Sequence, residues 1–209
     1  MADTDLGRLG LMICWDVSYP ALFRAYAGQV QMLVISSCPP AMERMEIRFS
    51  NGEHLSLADT SWLARTVCDR GHAIMNEDLR TQSAWLSVPL VSAMQHGDFV
   101  SGVPRPALSL ALAVLLNPRL WPLVRRAAGA TISAPHNEHT LIADAAGRVV
   151  AWPGAGDGFA LAEVEIPEAP PRPAASQPRM RMHPLSYLAT NVLNWLSRPE
   201  YDRRVKYSP

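Results

Sequence analysis

Two short apolar runs dominate the start of the chain: GRLGLMI over residues 7–13 and QMLVISS over residues 31–37. Runs of this length, bounded by turn residues, predict strands buried on both faces. Between them lies PALFRAYAGQV, residues 20–30, which opens on Pro20 and sets Leu22, Phe23, Tyr26 and Ala27 close to one face. Proline suits a first helical position, so the segment predicts an amphipathic helix. Strand, helix, strand predicts a βαβ unit, because consecutive parallel strands need a crossover connection.

The pattern continues unevenly. Residues 56–70 place Leu57, Trp62, Leu63, Ala64 and Val67 at largely helical spacing, with Gly71 as the expected C-terminal cap and HAIMNED, residues 72–78, as a following strand. Residues 83–130 hold several prolines and predict only a loop with one or two helices. Regular alternation returns over 139–166, HTLIADAAGRVVAWPGAGDGFALAEVEI, whose turns at 146–147 and 154–158 predict a meander of three antiparallel strands. Residues 169–178 are a proline-rich polar connector, followed by an amphipathic helix over about 184–196 and a charged, tyrosine-bearing tail. The expected domains are therefore 1–168 and an appendage over 169–209. A helix beyond such a connector has no evident neighbour in its own domain, so it is expected to pack on a second subunit and make the chain a homo-oligomer.

Length and composition narrow the classes. The 209 residues, 48% of them hydrophobic, suffice for one sizeable core and predict one compact domain. With 19 basic and 19 acidic side chains there is no net field to recruit nucleic acid or an anionic membrane, so neither is an expected partner. The longest apolar stretch, Ala107 to Leu116, falls short of the roughly 20 residues that span a bilayer, and predicts a buried or interfacial helix. Cys14, Cys38 and Cys68 are too widely spaced for a metal knuckle, and the N-terminus carries aspartates where a leader would be basic. A cytoplasmic protein with reduced thiols, no metal and no cofactor is expected.

Cys14 stands where the first strand ends and a helix is about to begin. Such a turn lifts a side chain above the sheet and lets the following backbone N–H groups face an oxyanion, the geometry of acyl transfer. A buried, inert small hydrophobe is the other reading of the same position. Cys38 ends the next strand at the same sheet edge and is a candidate pocket residue, whereas Cys68 falls within a helix. Trp15 and Tyr19 suit either a substrate pocket or buried aromatic packing. His136 and His139, flanking Glu138 in PHNEH, have the spacing of a metal pair but lack a third placed ligand. His96, His136 and His139 are each candidates for a base paired with Cys14.

The segment DTDLGRLGLMICWDVSYPALFRAYAGQVQMLVISSCPP resembles the nucleophile region of the nitrilase superfamily, the carbon-nitrogen hydrolases. Gly7, Gly10, Cys14, Trp15, Asp16, Pro20 and Arg24 fall in order on the family's motif, and NEHTLIADAAGRVVAWPGAGDGFALAEVEI resembles its late hairpin. The likeness covers most of 2–166 apart from 83–130. It implies an α/β fold, the family's α-β-β-α sandwich, with Cys14 as nucleophile and Trp15 supplying the oxyanion-binding N–H. Asp16, Tyr19 and Cys38 are the expected substrate-binding residues. The implied substrate is a small non-peptide amide or nitrile, and W-D after the cysteine leans toward amidase-type members.

The resemblance also implies a glutamate base and an oxyanion-binding lysine ahead of the cysteine. The residues before Cys14 include neither, and Lys206 is the only lysine in the chain. Three expectations follow: the chain lacks the N-terminal half of the sandwich because it is a truncated product; it is one half of a split enzyme; or it is a catalytically inactive binding or assembly module.

Overall fold

The structure, a computed structural model, describes residues 1–154, 158–180 and 184–206. Its strands are β1 (Ala2–Thr4), β2 (Gly7–Ile13), β3 (Met32–Ser37), β4 (Glu46–Arg48), β5 (His54–Ser56), β6 (Leu90–Met94), β7 (Asp98–Gly102), β8 (Thr131–Pro135), β9 (Leu141–Ala143) and β10 (Val149–Ala151). Its helices are α1 (Pro20–Tyr26), α2 (Leu57–Thr60), α3 (Trp62–Ala73), α4 (Leu79–Leu86), α5 (Pro106–Leu116), α6 (Trp121–Val124) and α7 (Pro184–Tyr201). Where one compact domain is expected, the chain divides into two compact units. The first comprises Met1–Pro40, His72–Gly97 and His136–Arg181; the second comprises Ala41–Gly71, Asp98–Pro135 and Met182–Pro209.

The first unit is built on a six-stranded mixed sheet in the order β1-β2-β3-β6-β9-β10. The predicted βαβ unit is its centre: β2 and β3 run parallel with Leu9 opposite Met32 and Ile13 opposite Ser36, and β6 continues the parallel set with Ser36 opposite Ala93. Phe23 from α1, Leu79 and Leu86 from α4, and Leu33, Ile35 and Leu90 from the sheet are fully buried. Burial of a side chain such as Phe23 contributes about 1.5–3 kcal/mol. Gly10 is dictated by close packing, since a Cβ there would sit 2.8 Å from Leu33 Cδ2 and 3.0 Å from the Tyr26 ring. The Tyr26 hydroxyl donates to the Leu11 carbonyl at 2.6 Å, fixing α1 to the sheet.

β2 differs from the expectation of burial on both faces. Gly10 and Met12 are buried, but Leu11 is 46% and Ile13 70% exposed. The alternation of a pleated strand puts these two on one side, and that side of the sheet stays open near Ile13.

HAIMNED is helical, not a strand, and Gly71 lies inside α3 and does not cap it. A π-helical turn over Ile74–Asp78 joins α3 to α4. The buried residues Cys68, Ile74, Met75, Leu79, Gln82, Ser83 and Leu86 recur at helical spacing throughout, and this period overrides the glycine. The meander has two strands where three are expected: β9 and β10 pair antiparallel with an irregularity between Val149 and Ala151, and residues 158–166 form no strand. Phe159 and Leu161 are largely exposed there. Residues 155–157 of the predicted turn lie outside the described residues.

The second unit carries a four-stranded antiparallel sheet, β5-β4-β8-β7. Ile47, Phe49, Leu110, Ala127 and Ala130 form its apolar core. Much of it comes from 83–130, where no strand is expected from the sequence. The apolar stretch ending at Leu116 is α5, with Leu110 buried and Leu115 exposed. α7 extends five residues beyond the expected end, to Tyr201. It has neighbours within its own unit, contrary to expectation: Leu196 is buried and Arg105 stacks over the Trp195 ring at 5.5 Å. Among the described residues, no helix is long and apolar enough to cross a membrane.

Candidate functional site

β2, β3 and β6 are parallel and adjacent, so their C-terminal ends emerge together. Ile13, Ser36 and Ala93 form one transverse row across the three strands. Beyond that row an open pocket of about 370 Å³ is lined by Ile13, Cys14, Ser36, Ser37, Cys38, Ala93, Met94 and Gln95. The Gln95 N–H donates to the Ser37 carbonyl at 3.0 Å, extending the β3–β6 pairing into the pocket wall.

Cys14 occupies the turn from β2 into a 3-10 helix, Cys14–Ser18, with φ at 48°. A non-glycine residue in the left-handed region costs of order 1–3 kcal/mol and persists only when its surroundings enforce it. The enforcement is local: the Ile13 N–H donates to Asp16 Oδ2 at 3.0 Å, the Ser18 hydroxyl to the Trp15 carbonyl at 2.8 Å, and the Tyr19 N–H to the Asp16 carbonyl at 3.1 Å. Asp16 is thus a clamp on the elbow.

The half-buried Cys14 thiol has its pKa pushed above the ordinary value, chiefly by burial. Backbone N–H groups of Cys38 and Trp15 oppose that shift by donating to the sulfur, while the Cys38 thiol reinforces it. Among the described groups acting on this sulfur, none is cationic. Burial likewise pushes the Cys68 thiol up to about 11, with further contributions from the Asp69 and Glu43 carboxylates.

The structure therefore brings Cys14 and Cys38 into one pocket, with the Trp15 backbone N–H directed at the Cys14 sulfur. Asp16 and Tyr19 do not line this pocket. Trp15 Nε1 is buried and has no hydrogen-bond partner among the described residues. No family model matches the chain, and no curated protein matches it. Among solved structures it is similar to a carbon-nitrogen hydrolase from Helicobacter pylori G27. The identity is 15% and the TM-score 0.42, over 98% of this chain and 49% of that one. The chain spans about half the length of that protein.

A second pocket adjoins the first through shared Met94 and Gln95. It has a volume of about 160 Å³ and is completed by His96, Glu138, Thr140, Pro153, Gly154 and Gly158. His96 Nδ1 lies 3.0 Å from Glu138 Oε1. The Thr140 hydroxyl accepts from the Met94 N–H at 2.9 Å and donates to the Met94 carbonyl at 3.2 Å, anchoring the end of β6. Glu138 thus pairs with His96, and His136 is buried in the first unit. Among the described residues, no group of three or more His, Cys, Asp or Glu is placed to hold a metal. The His96–Glu138 pair and the Ser37 and Gln95 lining are not evident in the sequence. Their one signal is the apolar run LVSAM after Pro89, which is strand β6. The side chain of Lys206 lies outside the described residues.

Proposed function

We propose that this chain acts on small non-peptide amides as an amidase-type carbon-nitrogen hydrolase, with Cys14 forming a thioester. The observation that carries this reading is the strained Cys14 backbone, which presents the thiol at an open pocket opposite the N–H groups of Trp15 and Cys38. The resemblance of residues 3–40 to the family's nucleophile segment supports it. In the proposed reaction the Cys14 sulfur attacks the amide carbon, the C–N bond breaks, and the amine departs with a proton. Water then attacks the thioester, releasing the carboxylic acid and regenerating the thiol.

A thiol of ordinary pKa, about 8.5, needs a base near neutrality, and burial of Cys14 increases that need. We assign the proton-accepting role to His96, which lies in the adjoining pocket and is oriented there by Glu138. Trp15 keeps the oxyanion N–H role that the resemblance implies, and Cys38 contacts substrate from the pocket wall, whereas Asp16 and Tyr19, which do not line the pocket, are not assigned substrate contacts and Asp16 holds the Cys14 turn. Assembly into a homo-oligomer through α7 is part of the same reading, supported by the exposed side chains Leu188, Val192 and Trp195 at i, i+4 and i+7.

The raised Cys14 pKa, without a cation to offset it, favours one second reading: an inactive binding or assembly module. Incubation of the intact chain with small amides and hydroxylamine separates the two. Hydroxamate formation that disappears in Cys14→Ala supports the hydrolase. Absence of both hydroxamate and a Cys14 acyl adduct by mass, across aliphatic and aromatic amides, overturns it in favour of the module.

A further inference from the structure

We infer that Cys14 and Cys38 are an oxidation-sensitive pair that closes into a reversible disulfide across the mouth of the pocket. The functional consequence, masking of the nucleophile, rests on the hydrolase reading; formation of the bond does not.

Three observations converge on the pair. The parallel register ends with Ile13 opposite Ser36, so the chain leaves β2 at Cys14 and β3 at Ser37–Cys38 side by side. Continued by one step, that register sets Cys14 opposite Ser37, so Cys38 is offset by one residue; a strand spacing of about 4.8 Å and a rise of about 3.3 Å together give about 6 Å, inside the Cα separation of about 4.4–6.8 Å that a disulfide accepts. The Cys14 sulfur is moreover within hydrogen-bonding reach of both the N–H and the thiol of Cys38. Finally, both residues line one open pocket, Cys38 is exposed and Cys14 half-buried, so an oxidant reaches them. Cys68 is buried and belongs to the other unit.

The co-reactant is a hydroperoxide. The Cys38 thiolate attacks the terminal peroxide oxygen, an S–O bond forms, the O–O bond breaks, and the alcohol, or water from hydrogen peroxide, departs. Cys14 then loses its proton and attacks the sulfenic sulfur. An S–S bond forms and hydroxide leaves as water. Two thiols lose two electrons and one peroxide gains them. A dithiol reductant reverses the bond by exchange.

Trypsin cleavage after Arg8, Arg24 and Arg44 separates the two cysteines onto Leu9–Arg24 and Ala25–Arg44. The full-length chain is treated with hydrogen peroxide at equimolar ratio, alkylated and digested without reductant. The expected product is one linked species of these two peptides, two hydrogens lighter than their sum, lost on adding dithiothreitol and retained in Cys68→Ser. Linkage of either peptide to the Cys68 peptide, cross-linking between chains, or separate sulfinic products at Cys14 and Cys38 without the linked species overturns the inference. Linked peptide in a chain inert toward amides would leave the pair intact and reject the hydrolase reading alone.

Discussion

His96 and Glu138 face each other at 3.0 Å although β7 and β8, two strands of the second unit, lie between them in the sequence. Antiparallel pairing of β6 with β9, Ser92 opposite Leu141, carries the two loops past one another until these side chains meet. Both side chains are about one-third exposed, so as an ion pair the contact stabilises the fold by only about 0–1 kcal/mol. Glu138→Gln is expected to leave the urea midpoint nearly unchanged while lowering amide turnover about 10²-fold or more, the scale of general acid–base catalysis. His96→Asn should give the same split. A drop in stability that matches the loss of turnover would assign the pair a structural role.

Cys68 makes the fold sensitive to alkali. Its pKa is about 11 in the folded chain and about 8.5 in an unfolded one. The unfolded chain therefore loses its proton first as pH rises, so the stability this group contributes is complete below about pH 8.5 and is lost toward about pH 11. Melting temperatures at pH 8, 9.5 and 10.5 should decline, with a shallower decline in Cys68→Ala. In native alkylation at pH 8, Cys38 should label and Cys68 should stay protected until the chain is denatured. Rapid native labelling of Cys68 contradicts its placement.

Two glycines with positive φ should respond unequally to alanine. A methyl group added at Gly52 (φ 86°) would meet nothing within 4 Å, whereas at Gly147 (φ 76°) a Cβ would lie 2.7 Å from the Arg80 carbonyl oxygen. Each substitution costs about 1–2 kcal/mol of left-handed strain, and Gly147→Ala adds a clash of about 1–3 kcal/mol. Denaturant melts should rank Gly147→Ala well below Gly52→Ala. Equal losses would show that the Asp144–Arg148 turn does not pack against α4.

The proposed assembly through α7 is tested by charge on its exposed stripe. Leu188→Glu should convert an oligomer to a monomer in native mass without unfolding, because Leu188 is more than half exposed. Truncation after Pro178, which also strips the buried Leu196 from the second unit, should likewise give a monomeric mass. An unchanged mass in both removes α7 from the interface.

The parts of the fold legible in the sequence are those whose signal is local. β2, α1 and β3 announce themselves as apolar runs around a proline-led helix, and Cys14 stands at their junction. The helical period across Gly71 is also present in the sequence, but one glycine and a short apolar run mask it. The β6 strand is hidden among prolines, and with it the row Ile13, Ser36 and Ala93 that forms the pocket floor. His96 and Glu138 give no local signal at all, because strand pairing between distant segments creates their contact.

The proline-rich segment 167–178 is more than a connector. Gln31 Nε2 donates to the Pro167 carbonyl at 2.7 Å, Gly28 N–H to Pro171 at 3.1 Å, and Trp85 Nε1 to Ala175 at 2.8 Å. Gln177 accepts from Arg24 at 2.8 Å and donates to the Pro20 carbonyl at 2.9 Å and to Gln82 Oε1 at 2.8 Å. The ribosome makes these partners in the wrong order for early closure: α1 and α4 emerge long before the strap that ties them. During synthesis the polar groups of Gln31, Gln82 and Trp85 must wait, hydrated, until residue 178 has left the exit tunnel. The last step in completing the first unit is therefore a late, long-range event, the kind that slows folding and prolongs exposure to aggregation and proteolysis.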